Sequence, residues 1–229
     1  MVKLALKNQD LSCYIRLMRK EDVAQVTEID REAFPTLRPP INYHNELQNR
    51  LAHYVVACSR EASVDEAVPS ESGRSGFTEM MSRIGRLLGY NRHTDKEAEP
   101  LLRQYIFGFA GLWMMADEAH IMNIAVREEY RGGGIGELLL ISLIDLALEL
   151  KAQRILLEVR VSNTAAQKLY AKYGFETVGL RHAYYTDNKE DAVVMSTGDI
   201  TTALFRTKVS ELRQAHSRKW GIDCYEIAR

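Results

Sequence analysis

Cysteine is scarce in this sequence, and its three residues, Cys13, Cys58 and Cys224, lie far apart along the chain. None of them belongs to a CxxC pair or to a Cys/His spacing of the kind that binds zinc. An odd number of cysteines without such spacing argues against a disulfide framework and against a structural zinc site. We therefore expect a reducing compartment, the cytoplasm, and no metal.

An excess of one charge is also missing, since 30 Lys and Arg stand against 31 Asp and Glu, which gives a formal net charge of -1. Such a balance creates no overall field that favours nucleic acid or an anionic membrane. Long apolar runs are missing too, because the stretch from Leu138 to Leu148 is interrupted by Ser142 and Asp145 and is too short to span a bilayer. The first residues, MVKLALKNQDLS, lack the apolar centre of a signal peptide. We expect a cytoplasmic protein that requires neither nucleic acid nor membrane.

Apolar residues make up 46% of the 229 residues, enough for the core of one domain with additions. Their spacing switches between the period of strands and the period of helices. The predicted order is β, α, α, β, β, β, α, β, α, β, β, which indicates an α/β (α+β) fold with a mixed sheet. Strands are expected at 13–18, 53–58, 104–115, 120–126, 154–161, 175–181 and 191–197, and helices at about 21–34, 46–51, 135–153 and 162–174.

Residues 59–103 differ from their surroundings in being rich in Ser, Glu, Gly and Arg, and we interpret them as an insertion in a domain of residues 14–197. Apolar residues from Phe77 to Leu88 recur at helical spacing, which predicts one amphipathic helix that packs on the parent domain or contacts a membrane or partner. Residues 198–229 are expected to form a helical extension. Its basic residues suit a solvated face or a partner-binding surface.

Four glycines in five residues, Gly132, Gly133, Gly134 and Gly136, precede the most apolar predicted helix. Free backbone N–H groups at a helix N-terminus suit a pyrophosphate. A Walker A loop would need Lys and then Ser or Thr after the last glycine, whereas Glu137 stands there. A dinucleotide-binding fingerprint would need a third glycine at that same position. A purely structural turn stays open, although one glycine would suffice for it.

The residues around this loop resemble the GNAT acetyltransferases. The stretch RGGGIG, residues 131–136, fits the family signature R/Q-x-x-G-x-G/A, and IAV, LEVRVSN, LYAKYGF and EDAVVM follow the pattern of RimI-type protein N-terminal acetyltransferases. The resemblance covers residues 14–58 and 104–197. It implies a GNAT fold, in which a central, mostly antiparallel sheet flanked by helices has a splay between two parallel strands.

The resemblance also implies acetyl-CoA as co-substrate, with its pyrophosphate on the glycine loop and its pantetheine arm along the strand that precedes it. The residues expected to bind it are Ile124, Ala125, Val126, Arg131, Gly132, Gly133, Gly134, Ile135, Gly136, Glu137 and Asn163.

Acetyl transfer to an amine needs a group that accepts a proton from the acceptor. In the resembled pattern LEVR the glutamate, Glu158, is the general base and acts through water. Taken from the residues alone, Glu158 could equally be an ordinary carboxylate paired with Arg160 or Arg181.

The departing thiolate needs a proton donor, and the resemblance assigns this role to Tyr170. Tyr170 follows Asn163 by seven residues, which places both on one helix face. Without the resemblance, a core tyrosine would be the commoner fate. His120 and His182 are candidates for a proton relay or for purely structural roles.

The resemblance implies that the acceptor is a protein N-terminus, in particular the alanine of a ribosomal protein. We expect it to bind between the loop 34–44 and the hairpin 184–190, with Phe34, Tyr184 and Tyr185 as binding residues. The first loop offers no carboxylates, which argues against a polyamine pocket. The alternatives are a small-molecule amine acetyltransferase, a non-catalytic acyl-CoA-binding module and a protein that binds a partner through its basic tail.

Overall fold

The computed structural model describes residues 13–35, 41–64, 102–221 and 227. The strands are β1 (Cys13–Leu17), β2 (Ala52–Val64), β3 (Leu102–Met115), β4 (Glu118–Val126), β5 (Arg154–Arg160), β6 (Phe175–Arg181) and β7 (Ala192–Thr197). The helices are α1 (Val23–Ala33), α2 (Tyr43–Glu46), α3 (Ile135–Glu149), α4 (Thr164–Lys172) and α5 (Ala203–Trp220), with 3-10 turns at Lys20–Asp22 and Glu128–Tyr130. Their order along the chain is the predicted one.

The strands form one sheet in the order β1-β2-β3-β4-β5-β7-β6. The pairs β1/β2, β3/β4, β5/β7 and β6/β7 are antiparallel, and β4 and β5 are parallel. The predicted mixed, mostly antiparallel sheet is therefore confirmed.

The parallel pair β4/β5 separates partway along its length. Pairing begins at Glu118↔Arg154 and ends at Ile121↔Leu157. Beyond that point β4 remains paired with β3 and β5 with β7, so each strand keeps only its outer neighbour. This is the splay between parallel strands that the resemblance implies.

A one-residue β-bulge lies at Met122, directly after the last β4/β5 pair. Gly111 of β3 pairs with Asn123, and the next residue, Leu112, pairs with Ile121, so Met122 has no opposite residue on β3. Bulges bend and twist a strand and often occur beside functional sites. Here the bulge coincides with the divergence of β4 from β5.

Helix α3 supplies much of the apolar core on one face of the sheet, because ten of its fifteen residues are buried. Helix α1 packs on a second apolar cluster with Val26, Ile29 and Phe109. The polar residues of α3 are partly covered as well: Ser142 is buried and donates to the Leu138 carbonyl oxygen.

The structure corrects some predicted boundaries. The short helix expected at 46–51 forms at Tyr43–Glu46 instead, because the side chain of Asn42 accepts the Asn45 N–H and starts the helix earlier. Strand β2 continues to Val64, and β3 begins at Leu102, so both exceed the predicted strands.

The chain divides into two compact units, residues 1–61 with 104–229 and residues 62–103. The amphipathic helix expected at 77–88 lies outside the described residues, as do Cys224 and the loop residues 36–40. The insertion therefore stays a prediction. Within the described ranges, no helix combines the length and apolar character needed to cross a bilayer.

Candidate active site

A cavity of about 400 Å³ opens where β4 and β5 diverge. Its lining comes from the end of α1, from β4, β5 and α4, and from the loop between β6 and β7. Seven residues predicted for the site contribute to it: Phe34, Ile124, Glu158, Asn163, Tyr170, Tyr184 and Tyr185. The fold thus brings together residues that are separated by up to 151 positions in the sequence.

Glu158 lies on β5 with only 8% of its side chain exposed. Its two carboxylate oxygens contact different partners, His120 Nε2 at 2.7 Å and a guanidinium nitrogen of Arg181 at 2.9 Å. Burial acts to raise the pKa of Glu158, but the hydrogen bond from His120 and the charges of His120 and Arg181 outweigh it, so the pKa lies below its usual value. The carboxylate is therefore ionised, and His120 Nε2 carries the proton between them.

Tyr170 and Asn163 belong to one helix and reach the same cavity. The Asn163 side-chain oxygen accepts the Ala166 N–H at 3.2 Å and caps α4, which fixes the start of the helix beside β5. Tyr170 packs 5.8 Å from the Phe175 ring, centroid to centroid. Burial raises the pKa of Tyr170 to about 12, so its hydroxyl keeps its proton at any physiological pH.

Two adjacent aromatic side chains of the β6–β7 loop form part of the cavity wall. Tyr184 and Tyr185 lie edge to face, with ring centroids 5.2 Å apart, and Tyr185 is buried. Arg160 of β5 lies 3.9 Å from the Tyr185 ring centroid and also pairs with Asp187 at 2.8 Å and Glu190 at 2.9 Å. One guanidinium therefore fixes the loop to β5 through three contacts.

The glycine loop precedes α3 as predicted. Gly132 and Gly134 adopt left-handed conformations with φ of 80° and 86°, and Gly134 is the N-cap of the helix. A Cβ built at Gly132 would meet no atom within 4 Å, so the loop has open space on that side. The first turn of any helix also leaves N–H groups without intrahelical acceptors. The loop can therefore accommodate a pyrophosphate.

The carboxylate of Glu137 lies in the first turn of α3, where neighbouring hydrogen-bond donors balance its negative charge. It accepts hydrogen bonds from Lys172 Nζ and, at 2.7 Å, from the Tyr173 hydroxyl. Burial acts to raise the pKa of Glu137, but these hydrogen bonds outweigh it and lower the pKa. A contribution of Glu137 to phosphate binding would thus come from its backbone N–H.

The remaining predicted cofactor residues lie between the cavity and the loop. Arg131 donates from Nε to the Val126 carbonyl oxygen at 3.0 Å, which joins the loop to the end of β4. Ala125 is buried in the cluster around α1, whereas Ile124 faces the cavity. Past Ile121, the β5-facing backbone edge of β4 has no paired strand among the described residues.

The two candidate histidines differ in their position relative to the cavity. His120 lines the cavity and contacts Glu158, whereas the His182 side chain is 81% exposed, pairs with Asp191 and is not part of the lining. Of the two expected partners of Glu158, only Arg181 contacts it. Arg160 instead binds the β6–β7 loop, a partnership that no local sequence pattern could have revealed.

Sequence reasoning also missed Met122 and Asn123 in the lining, because a bulge leaves no mark on the alternating pattern HIMNIAV. Within the described part of the chain, no group of three or more His, Cys, Asp or Glu side chains is placed to hold a metal ion.

Comparison with known proteins agrees with this geometry. The model of the acetyltransferase (GNAT) family matches residues 85–175. A Bacillus subtilis (strain 168) protein, provisionally named ribosomal protein bS18-alanine N-acetyltransferase, is 36% identical over 183 residues, which cover 79% of this chain and 92% of that protein. An N-alpha-acetyltransferase of Sulfurisphaera tokodaii is 31% identical over 186 residues, 80% of this chain and 90% of that protein.

Among solved structures, Arabidopsis thaliana NAA60 in complex with acetyl-CoA aligns with a TM-score of 0.56. The alignment covers 81% of this chain and 98% of that one at 16% sequence identity, and it supports the likeness of fold. The splayed sheet and the glycine loop ahead of α3 thus define an acetyltransferase of the kind that uses acetyl-CoA. The chain belongs to the GNAT acetyltransferase family.

Proposed function

We propose that this protein transfers the acetyl group of acetyl-CoA to the α-amino group of a protein N-terminus, with the N-terminal alanine of a ribosomal protein as substrate class. The observation that carries the proposal is the cavity at the splay, which is lined by Glu158, His120 and Tyr170 together with Tyr184 and Tyr185. The relatives named for acetylating bS18 alanine and α-amino groups support the same substrate class.

Acetyl-CoA supplies the acetyl group as a thioester. The N–H groups of residues 132–137 would bind its pyrophosphate, because they combine glycine freedom with a helix N-terminus. The open edge of residues 124–126 would pair with the amides of its pantetheine arm and donate N–H groups to the thioester carbonyl oxygen. Asn163, at the start of α4, completes this side of the site.

The proton-accepting group is the hydrogen-bonded pair of Glu158 and His120. Glu158 alone is a weak base, because its pKa is lowered. The ionised carboxylate can only accept, so it holds the His120 Nε2 as the donor of their hydrogen bond and leaves Nδ1 as the ring nitrogen that can take a proton from the acceptor. An α-ammonium group has a pKa of about 8, close enough for this pair to accept its proton directly or through water.

Tyr170 is the proton donor. The amine nitrogen attacks the thioester carbonyl carbon, forms the new N–C bond and gives up its second proton to solvent through the Glu158 and His120 pair. The C–S bond breaks, and the thiolate takes the proton of the Tyr170 hydroxyl. The raised pKa of Tyr170 keeps that proton on the hydroxyl until negative charge develops on the sulfur as the C–S bond breaks. The Tyr170 phenolate then regains a proton from solvent.

The acceptor binds against Phe34, Tyr184 and Tyr185. Two aromatic rings at right angles leave room for a small first side chain and can hydrogen-bond a peptide backbone through their hydroxyls. Among the described lining residues, Glu158 is the one carboxylate, and it is already paired with His120 and Arg181. A polyamine would find little to bind its charges here.

The test is acetylation of a peptide panel that differs only at the first residue, beginning with Ala, Met or Glu, with spermidine as competing acceptor. We expect the Ala peptide to react fastest and mass spectrometry to place the acetyl group on its α-nitrogen. A matched peptide with a blocked N-terminus and an internal lysine should remain unmodified. Equal rates across the panel, or faster reaction of spermidine, would contradict the proposal and favour a small-molecule amine acetyltransferase.

A further inference from the structure

Helix α5, which follows the last strand, is attached to α3. Arg213 pairs with Asp145 of α3, and Val209 is buried against the same apolar cluster. Phe205, Leu212 and Trp220 pack on that cluster as well. The helix thus covers the polar side of α3 and runs toward the glycine loop.

Near its end, α5 makes a hydrogen bond to that loop. His216 is only 2% exposed, and its Nε2 lies 2.9 Å from the carbonyl oxygen of Gly134. A carbonyl oxygen only accepts, so the nitrogen carries the proton. Burial lowers the pKa of His216, which keeps the imidazole neutral. The same oxygen accepts the Leu138 N–H at 3.0 Å, the first hydrogen bond of α3.

One turn further along α5, Trp220 packs directly on the same glycine. A Cβ built at Gly134 would lie 2.7 Å from both Cδ1 and Nε1 of the indole ring. The ring therefore occupies the space that a side chain would need, against a residue held at φ 86°. His216 and Trp220 together contact the point at which the loop becomes helix.

We propose that α5 is a positioning element for the acetyl-CoA loop, in which His216 and Trp220 hold Gly134 in its left-handed conformation. A glycine can adopt many conformations, and a run of glycines must be ordered before its N–H groups can converge on one anion. Contacts that order the loop in advance reduce the ordering cost of binding. This inference rests on the proposed acetyl-CoA site.

Neither side chain belongs to the cavity lining that holds Glu158 and Tyr170. Loss of these contacts should therefore weaken acetyl-CoA binding and raise its KM, while kcat at saturating acetyl-CoA stays within about twofold of wild type. A role confined to overall stability predicts the opposite pattern, a lower melting temperature with unchanged affinity in the protein that remains folded.

The experiment compares variants that remove each contact with variants that keep it. His216→Leu removes the donor and His216→Gln keeps an N–H; Trp220→Ala removes the ring and Trp220→Phe keeps a ring. Arg213→Met is the matched control, since it loosens α5 from Asp145 without touching Gly134. Leu204→Ser, at a position that is 83% exposed on the same helix, controls for substitution itself. Calorimetry gives the acetyl-CoA Kd, and melting curves are recorded in parallel.

We expect Kd to rise by about 10- to 100-fold in His216→Leu and Trp220→Ala, with most affinity retained in the Gln and Phe variants and in both controls. Unchanged affinity in folded His216→Leu and Trp220→Ala overturns the inference, as does an equal loss in Arg213→Met. Where Trp220→Ala does not fold, Trp220→Leu replaces it with the same expectation. A wild-type protein that fails to bind acetyl-CoA refutes the proposed function itself, and the positioning role with it.

Discussion

His120 Nε2 and Glu158 Oε2 lie 2.7 Å apart across the last pairs of the parallel ladder. His120 is opposite Leu156, within the ladder, and Glu158 lies one residue past its final pair. The hydrogen bond therefore joins the two strands at the point where they separate. It fixes an ionised carboxylate and an imidazole on the wall of the cavity.

This pair should behave as one unit in catalysis. Glu158→Gln is expected to lower kcat by roughly 10²- to 10⁴-fold, because it removes the charge that orients His120. His120→Ala should cost a comparable factor, and the double variant little more than either alone, since the second change removes a partner already lost. Steady-state kinetics with the Ala peptide would measure these losses, and near wild-type turnover in Glu158→Gln would return Glu158 to a structural role.

Tyr170→Phe is expected to lower kcat by roughly 10²- to 10⁴-fold while the acetyl-CoA Kd stays unchanged, because only the proton donor is removed. Since the pKa of Tyr170 is raised to about 12, the wild-type rate should not fall on the alkaline side up to about pH 10. A pH–rate profile with a descending limb near neutrality would contradict the assignment, as would full activity in the Phe variant.

Glu158 should also make the free energy of unfolding depend on pH in the acid range. Its pKa is lower in the folded protein than its ordinary value of 4.5, so its ionised form stabilises the fold above that pH. The contribution is lost as the pH falls from 4.5 through the folded-state pKa. Urea unfolding at neutral pH and in this acid range should therefore show a larger loss of free energy of unfolding in wild type than in Glu158→Gln. Parallel curves for the two proteins would count against a depressed pKa.

Arg160 should control how the acceptor is held. Arg160→Lys keeps the charge but not the planar fork that contacts Asp187, Glu190 and the Tyr185 ring. We expect the peptide KM to rise about tenfold and discrimination among first residues to weaken, with acetyl-CoA affinity unchanged. Arg154→Lys is the control, because Arg154 pairs with Glu118 at the exposed opposite end of β5. Equal effects of the two substitutions would argue against a specific role for the loop contact.

Gly136→Val offers a clean test of the pyrophosphate site. A Cβ there would meet only Val126, at 3.8 Å, so the fold should tolerate it, while the added side chain stands in the first helical turn that is proposed to bind the pyrophosphate. Gly134→Val is less informative, because it also clashes with Trp220 and strains a left-handed residue. Calorimetry should show at least about a tenfold loss of acetyl-CoA affinity in Gly136→Val and none in the control Gly198→Ala. Unchanged acetyl-CoA affinity in both variants would show that the pyrophosphate does not bind at this loop.

Much of the fold could be predicted because the signals are local. Alternation of apolar residues marks strands, a spacing of three and four marks helices, and glycines mark where α3 begins. The same periodicities place Asn163 and Tyr170 on one helix face, and both do line the cavity.

The sequence could not reveal features that depend on distant parts of the chain. The contact between His216 and Gly134 joins residues 82 positions apart, and that between Arg160 and Asp187 joins residues 27 apart. Neither has a spacing that any secondary structure imposes. The start of α2 differs from the predicted one for a simpler reason, since Asn42 caps the helix and begins it earlier than the apolar spacing indicates.

The bulge at Met122 changes which face of the sheet the later side chains of β4 point to. Ile121 and Ala125 are four residues apart, and in a regular strand they would share a face. Instead, Ile121 packs in the cluster around α3 and Ala125 in the cluster around α1, since Met122 shifts the alternation by one. Residues before and after Met122 therefore alternate out of step, and closing the bulge without shortening the strand would turn the cavity-facing Ile124 toward α1.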